Sequence, residues 1–178
     1  MKNLKKIGMV LLAGIVAAPA FAQSPKLTDP EIASVAVTAN QIDINYAAIA
    51  KEKSKNGDII KFADMMANDH KSVIDQAVAL VTKLKVTPKD NAVSQKLNAD
   101  AEKTKKELKA KSADTFDKAY IDNEVAYHKA VISTVEGVLI PQSQNAELKQ
   151  LLENVLPTLK AHLAHAEMTQ KMVNSHSK

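Results

Sequence analysis

The sequence predicts an all-α protein: a four-helix bundle in up-down-down-up order, with an extra crossover helix between core helices 2 and 3. Three observations predict it. Along four long segments, apolar residues recur at steps of three and four, the spacing that gathers them on one face of a helix. No stretch alternates apolar and polar residues in the manner of a strand. Between the second and third of these segments lies one rich in lysine, glutamate and alanine. At about 1.5 Å per residue it reaches roughly 30 Å, enough to carry the chain from one end of a bundle to the other.

Lys2, Lys5 and Lys6 precede an apolar run from Ile7 to Ala18, and Pro19 leads into Ala20-Phe21-Ala22. A basic head, a short apolar stretch and a small-x-small site read as a signal peptide over residues 1–22, cleaved before Gln23. The run falls short of the about 20 residues that a membrane span needs. The expectation is therefore a single helical-bundle domain over residues 23–178, with no transmembrane segment after cleavage. Its expected location is periplasmic or otherwise exported, with outer-membrane association left open.

The first core helix opens at Thr28-Asp29-Pro30-Glu31, which supplies a cap, a proline in the first turn and a carboxylate at the positive end of the dipole. Its stripe reads Ile32, Val35, Ala39, Ile42, Tyr46, Ile49, and Gly57 is expected to stop it. The second begins at Asp58 and carries Ile59, Phe62, Met66, His70, Val73 and Leu80; Thr87-Pro88 should close it, since the residue before proline avoids helical space. Over Asn91 to Lys111 the apolar anchors thin to Val93, Leu97, Ala101 and Leu108, the mark of a surface helix. The third core helix is capped by Ser112 or Asp114, follows Ile121, Glu124, His128 and Val131, and should end at Pro141. The fourth starts near Asn145 and carries Leu152, Leu159, His162, Ala166 and Val173, with a kink expected at Pro157.

Charge and composition exclude several functions. Of 24 positive residues three sit in the leader, leaving 21 against 20 acidic ones, and every one is lysine. Without arginine, a basic patch or many aromatics, nucleic acid is not an expected partner. An envelope protein partner or a homo-oligomer stays open. With no cysteine there is no thiol nucleophile, glycine is too scarce for a phosphate-binding loop, and no Gly-x-Ser-x-Gly elbow occurs.

The histidines carry the most information. His70, His128 and His162 each lie on the apolar stripe of a different helix, near its middle, so packing brings them to one layer. Asp43 of the first helix falls at the same depth, and Glu124 lies one turn before His128 on its face. Imidazoles with one or two carboxylates are the donor set of a transition-metal ion, here zinc, iron or copper. Asp69, Asp122, Tyr46 and Tyr120 are candidates for the surrounding polar groups, with Tyr127 a further one. The competing reading is a structural or interaction module of the envelope, in which the same residues form a metal-free hydrogen-bond network. His165 should be a boundary residue beside the stripe. Met65, Met66, Met168 and Met172 add a thioether option suited to copper, against their commoner use as core filler.

At these residues the chain resembles a known family. Phe62-Ala63-Asp64-Met65-Met66-Ala67-Asn68-Asp69-His70, then Phe116-Asp117-Lys118-Ala119-Tyr120 with His128, then Leu156-Pro157-Thr158-Leu159-Lys160-Ala161-His162-Leu163 are similar, in order and spacing, to the motifs of domain of unknown function 4142. The resemblance implies a ferritin-like helical bundle in a family of exported or outer-membrane bacterial proteins without an established activity. It implies no catalytic residues. Asp69, His70, His128 and His162 match the family's polar positions, whereas Asp43 and Asn45 stand where it often carries a glutamate pair. Di-iron oxidase chemistry is disfavoured. It needs Glu-x-x-His motifs, and Ala67, Val125 and Leu159 precede the three histidines by three.

Overall fold

A computed structural model describes residues 26–176, and every regular element among them is helical. The expected leader, residues 1–22, lies outside the described residues.

Helix α1 spans Asp29–Lys53. The Glu31 carboxylate accepts from the Thr28 backbone N–H at 2.9 Å and from its hydroxyl at 2.7 Å, closing the first turn. The expected glycine stop is corrected. Extended Ser54 breaks the chain after Lys53, Asn56 caps the next helix by accepting from the Asp58 N–H at 2.9 Å, and Gly57 is that helix's first residue. No glycine among the described residues has the positive φ that a glycine stop uses.

Helix α2, Gly57–Leu84, ends before Thr87-Pro88 because Lys85 turns into the left-handed region at φ 54°. Helix α3, Ala92–Ala110, is capped by Asn91, whose side chain accepts from the N–H groups of Val93 and Ser94 at 3.0 and 3.1 Å. Only Ser94, Ala101 and Leu108 of α3 are buried, and it lies chiefly along α1. Helix α4 spans Ala113–Thr134. It does not stop at Pro141: it passes through a π-helical turn, Val135–Leu139, into the short α5, Ile140–Gln142, which contains that proline. The chain turns at extended Ser143 instead. The final helix, α6, spans Ala146–His176 and runs on through Pro157, which sits on its exposed side. Asp29 clamps the turn before α6 to the start of α1, accepting from the backbone N–H groups of Gln144 and Asn145 at 2.8 and 2.9 Å.

Packing is strongest between α1 and α2 and between α4 and α6, and contacts of α2 with α6 and of α1 with α4 close the ring. Two apolar regions result. One gathers Phe62, Met66, Phe116, Tyr120 and Ile121 with Val173. The other gathers Ile32, Val35, Ile132, Leu139 and Leu152 with Leu159, and no fully buried residue of α2 belongs to it. Along each long helix the candidate site residues fall between these two regions: Asp43, His70, Glu124 with His128, and His162.

Candidate metal centre

Four helices contribute one buried polar layer. Asp43 and Glu124 are 0% exposed, His128 is 1%, and His70 and His162 are each 4% exposed. The three imidazoles pack against one another, with ring centroids 5.7 Å apart for His70 and His128, 5.1 Å for His70 and His162, and 5.6 Å for His128 and His162. One nitrogen from each ring lies within 4.8 Å of the others.

The remaining nitrogens decide the protonation pattern. His70 Nδ1 lies 2.7 Å from Asn40 Oδ1, and the Asn40 amide is oriented by donating to the Ala36 carbonyl at 2.8 Å. The oxygen therefore faces the ring, and Nδ1 must donate. His128 Nδ1 lies 2.9 Å from the Glu124 backbone carbonyl, which can only accept. His162 Nε2 lies 2.9 Å from a carboxylate oxygen of Asp69, also an acceptor. Each ring thus carries its proton on the outward nitrogen. His70 Nε2, His128 Nε2 and His162 Nδ1 are left as lone pairs with no hydrogen-bond partner among the described residues. An outer acceptor that sets the tautomer and leaves the other nitrogen free is the arrangement of metal-ligating histidine.

One carboxylate, Asp43, sits against two of these lone pairs. Asp43 Oδ2 lies 3.4 Å from His70 Nε2 and 3.6 Å from His128 Nε2, and both of its oxygens lack a hydrogen-bond partner among the described residues. The Glu124 carboxyl oxygens also lack a hydrogen-bond partner among the described residues, but the nearer one lies 3.6 Å from His128 Nδ1, the protonated nitrogen, and so does not face a lone pair. Burial pushes Asp43 up to about 8 and holds Glu124 well above the usual carboxylate range, with the Asp43 charge adding to the effect. Burial pulls His70 down to about 3 and His128 to about 4, so both rings are neutral at physiological pH. Burial also lowers His162, against the pull of Asp69. Neutral imidazoles facing a carboxylate are acceptors facing acceptors, and only a proton or a cation between them is attractive.

The outer groups fall out unevenly. Asp69 touches the cluster through His162. Tyr120 is buried on the Glu124 side, its hydroxyl raised by burial and by that carboxyl. Tyr46 packs edge-on against Tyr127 with centroids 5.5 Å apart, and burial lifts its hydroxyl to about 12. Tyr127 donates to the Ala39 carbonyl at 2.9 Å, bracing α4 on α1. Asp122 does not join the site. It accepts from Lys118 at 2.6 Å and from Gln170 at 2.8 Å, because two residues before Glu124 the helix has turned just over half-way round. Among the methionines, Met66 belongs to the apolar region around Phe62 and Met168 is 52% exposed. His165 lies half-buried, edge-on to Phe62 at 5.7 Å. Asn45 pairs with Gln41 on the surface side. Asn40 was not expected at the site, although its place one turn before Asp43 on the same face was a usable signal.

A cavity of about 360 Å³ runs from this layer into the second apolar region. Asp43, His70, His128 and His162 line one part of it, aliphatic residues such as Val35, Ala77, Leu80, Val131 and Leu152 line most of the rest, and Tyr46, Asp100 and Thr104 also lie on its wall.

An all-helical protein with a buried histidine–carboxylate layer between two apolar regions is the class that these features define. The chain belongs to the family described as domain of unknown function (DUF4142), whose family model matches residues 16–169. No curated protein and no solved structure matches it.

Proposed function

We propose that the chain is an exported, ferritin-like four-helix bundle of up-down-down-up order that binds one divalent first-row transition-metal ion within its core. His70 Nε2, His128 Nε2 and His162 Nδ1 are the nitrogen ligands, and Asp43 supplies an oxygen. Asn40, Asp69 and the Glu124 carbonyl orient the rings, and the Glu124 carboxyl stands as a further acidic group beside His128. The observation that carries this reading is the meeting of three buried histidines in one layer, with the His70 and His128 lone pairs both facing the buried Asp43 carboxylate. Imidazole-rich donor sets suit zinc, iron or copper. The basic head and apolar run of residues 1–18 support export.

A metal-free hydrogen-bond network fits the same residues less well. At 3.4 and 3.6 Å, the contacts of Asp43 with His70 and His128 are long for hydrogen bonds, and several polar atoms of the layer would stay unsatisfied. The test is elemental analysis of the mature protein after loading and desalting, alongside its melting temperature. One equivalent of metal, with a raised melting temperature that His128→Ala abolishes, supports the proposal. No retained metal and an unchanged melting curve would end it.

A further inference from the structure

The cavity meets the histidine layer at a polar end and is mostly aliphatic beyond it. On α2 its lining runs from His70 to Val81, eleven positions along the helix, or about 16 Å at about 1.5 Å per residue. At about 360 Å³ it falls at the small end of ligand sites, which span about 300–1,000 Å³. Its width follows from residue choice. Ala33, Ala36 and Ala77 line it from α1 and α2 where larger side chains would close the gap. Exposed Ala126, Ala130 and Thr158 also line it, and they mark where it meets solvent. A long, narrow, aliphatic space fits an unbranched chain better than a ring or a sugar. Its polar end holds three imidazole lone pairs and one carboxylate. A divalent ion there keeps one uncompensated positive charge in a desolvated setting, which favours an anionic oxygen donor as the next ligand.

We infer that the cavity binds an unbranched aliphatic monocarboxylate of medium chain length, its tail between α2, α4 and α6 and its carboxylate on the metal ion held by His70, His128 and His162. The placement of the head rests on the metal reading given above; the placement of the tail rests on the cavity alone. The length of the cavity sets the tail at roughly eight to twelve carbons, given about 1.5 Å per helical residue along α2.

The test is calorimetric titration of zinc-loaded and zinc-free mature protein with the saturated acids from butanoate to tetradecanoate, with 1-decanol as a headless control and bound zinc counted separately. The expected result is one decanoate per zinc-loaded chain and at least tenfold weaker binding without zinc. Affinity should rise about fourfold for each added methylene, as the burial of one such group requires, and stop rising near the chain length that fills the cavity. Ala77→Trp should remove decanoate binding while retaining one zinc per chain. The chain-length series needs no variant, so it stands if that substitution fails to fold. Stoichiometric zinc with no dependence on chain length, or undiminished decanoate binding by a folded Ala77→Trp protein, overturns the inference and leaves the metal reading intact. Absent zinc retention, with equal binding of decanol and decanoate, overturns both the metal reading and the assigned head position.

Discussion

On one side of the histidine layer, Phe62, Phe116 and Tyr120 are each 0% exposed, and all four long helices send fully buried residues into a common core. On the other side the contacts are aliphatic, α2 contributes no fully buried member of the core, and Ala77 lines a cavity shared with Leu152 and Val131. The same helices therefore build a close-packed half and an open half, separated by a polar layer. Packing decides stability in the first. In the second, what is stable is the space. The difference teaches that the histidine layer is buttressed from one side only, which leaves an approach to it from the other.

The largest expected effect breaks the packed half. Phe62→Ala should cost about 3–5 kcal/mol in denaturant unfolding, because the void it leaves is walled by neighbours that cannot collapse. Leu80→Ala, at a partly buried position beside the cavity, should cost well under half as much. Equal losses would erase the distinction between the halves.

Next comes the layer itself. A bound ion at a hundred times its dissociation constant adds about 2.7 kcal/mol to stability, and chelator or His128→Ala should remove that increment. A smaller contrast sharpens the comparison directly. Ala63→Leu, at a 0% exposed position of the packed half, should destabilise by about 1–3 kcal/mol through overpacking. Ala77→Leu, facing the cavity, should stabilise by about 0.5–2 kcal/mol by filling it. Thermal melts of the two variants should move in opposite directions.

The pH dependence of the metal-free protein follows from the layer's shifted groups. Unfolded imidazoles take up protons below about 6.5, whereas buried His70 and His128 refuse them down to about 3 and about 4. Stability should therefore be lost as the solution is acidified from 6.5. Asp43 works in the opposite sense. Its unfolded carboxyl ionises above about 3.9, while the buried one keeps its proton up to about 8, so its contribution is lost as pH rises through that window. The two trends place the optimum near pH 6.5, and Asp43→Asn should flatten the alkaline limb of the urea midpoint plotted against pH. The smallest effect lies outside the comparison. Lys85→Gly should add about 0.5–1 kcal/mol by relieving the left-handed residue that ends α2.

Much of this organisation was legible in the chain. Thr28, Ser112 and the period of the apolar residues foretold where helices begin and which faces they bury, since capping and amphipathicity are local properties. Two stops were misread for a related reason. Gly57 and Pro141 are permissive signals, and the breaks fell instead at Ser54 and Ser143. Packing and capping partners outside the local sequence choose among such signals. Within the site, one histidine per helix at a common depth was visible from periodicity. Asn40 was passed over and Asp122 wrongly included, because both judgements depend on a helix's rotation about its axis, and neighbours set that rotation.

The sequence by itself determined the all-helical character, the buried stripe of each helix, and the rank of His70, His128 and His162 as its polar interruptions. All of these follow from the 3.6-residue repeat and its chemistry. Only the tertiary structure decided that each imidazole spends its proton on Asn40, Glu124 or Asp69 and turns its lone pair inward, and that alanines on facing helices leave a cavity beside that layer. Those outcomes depend on distances between helices, which no local repeat encodes, because they are set by how side chains from separate segments fill or fail to fill the space they share.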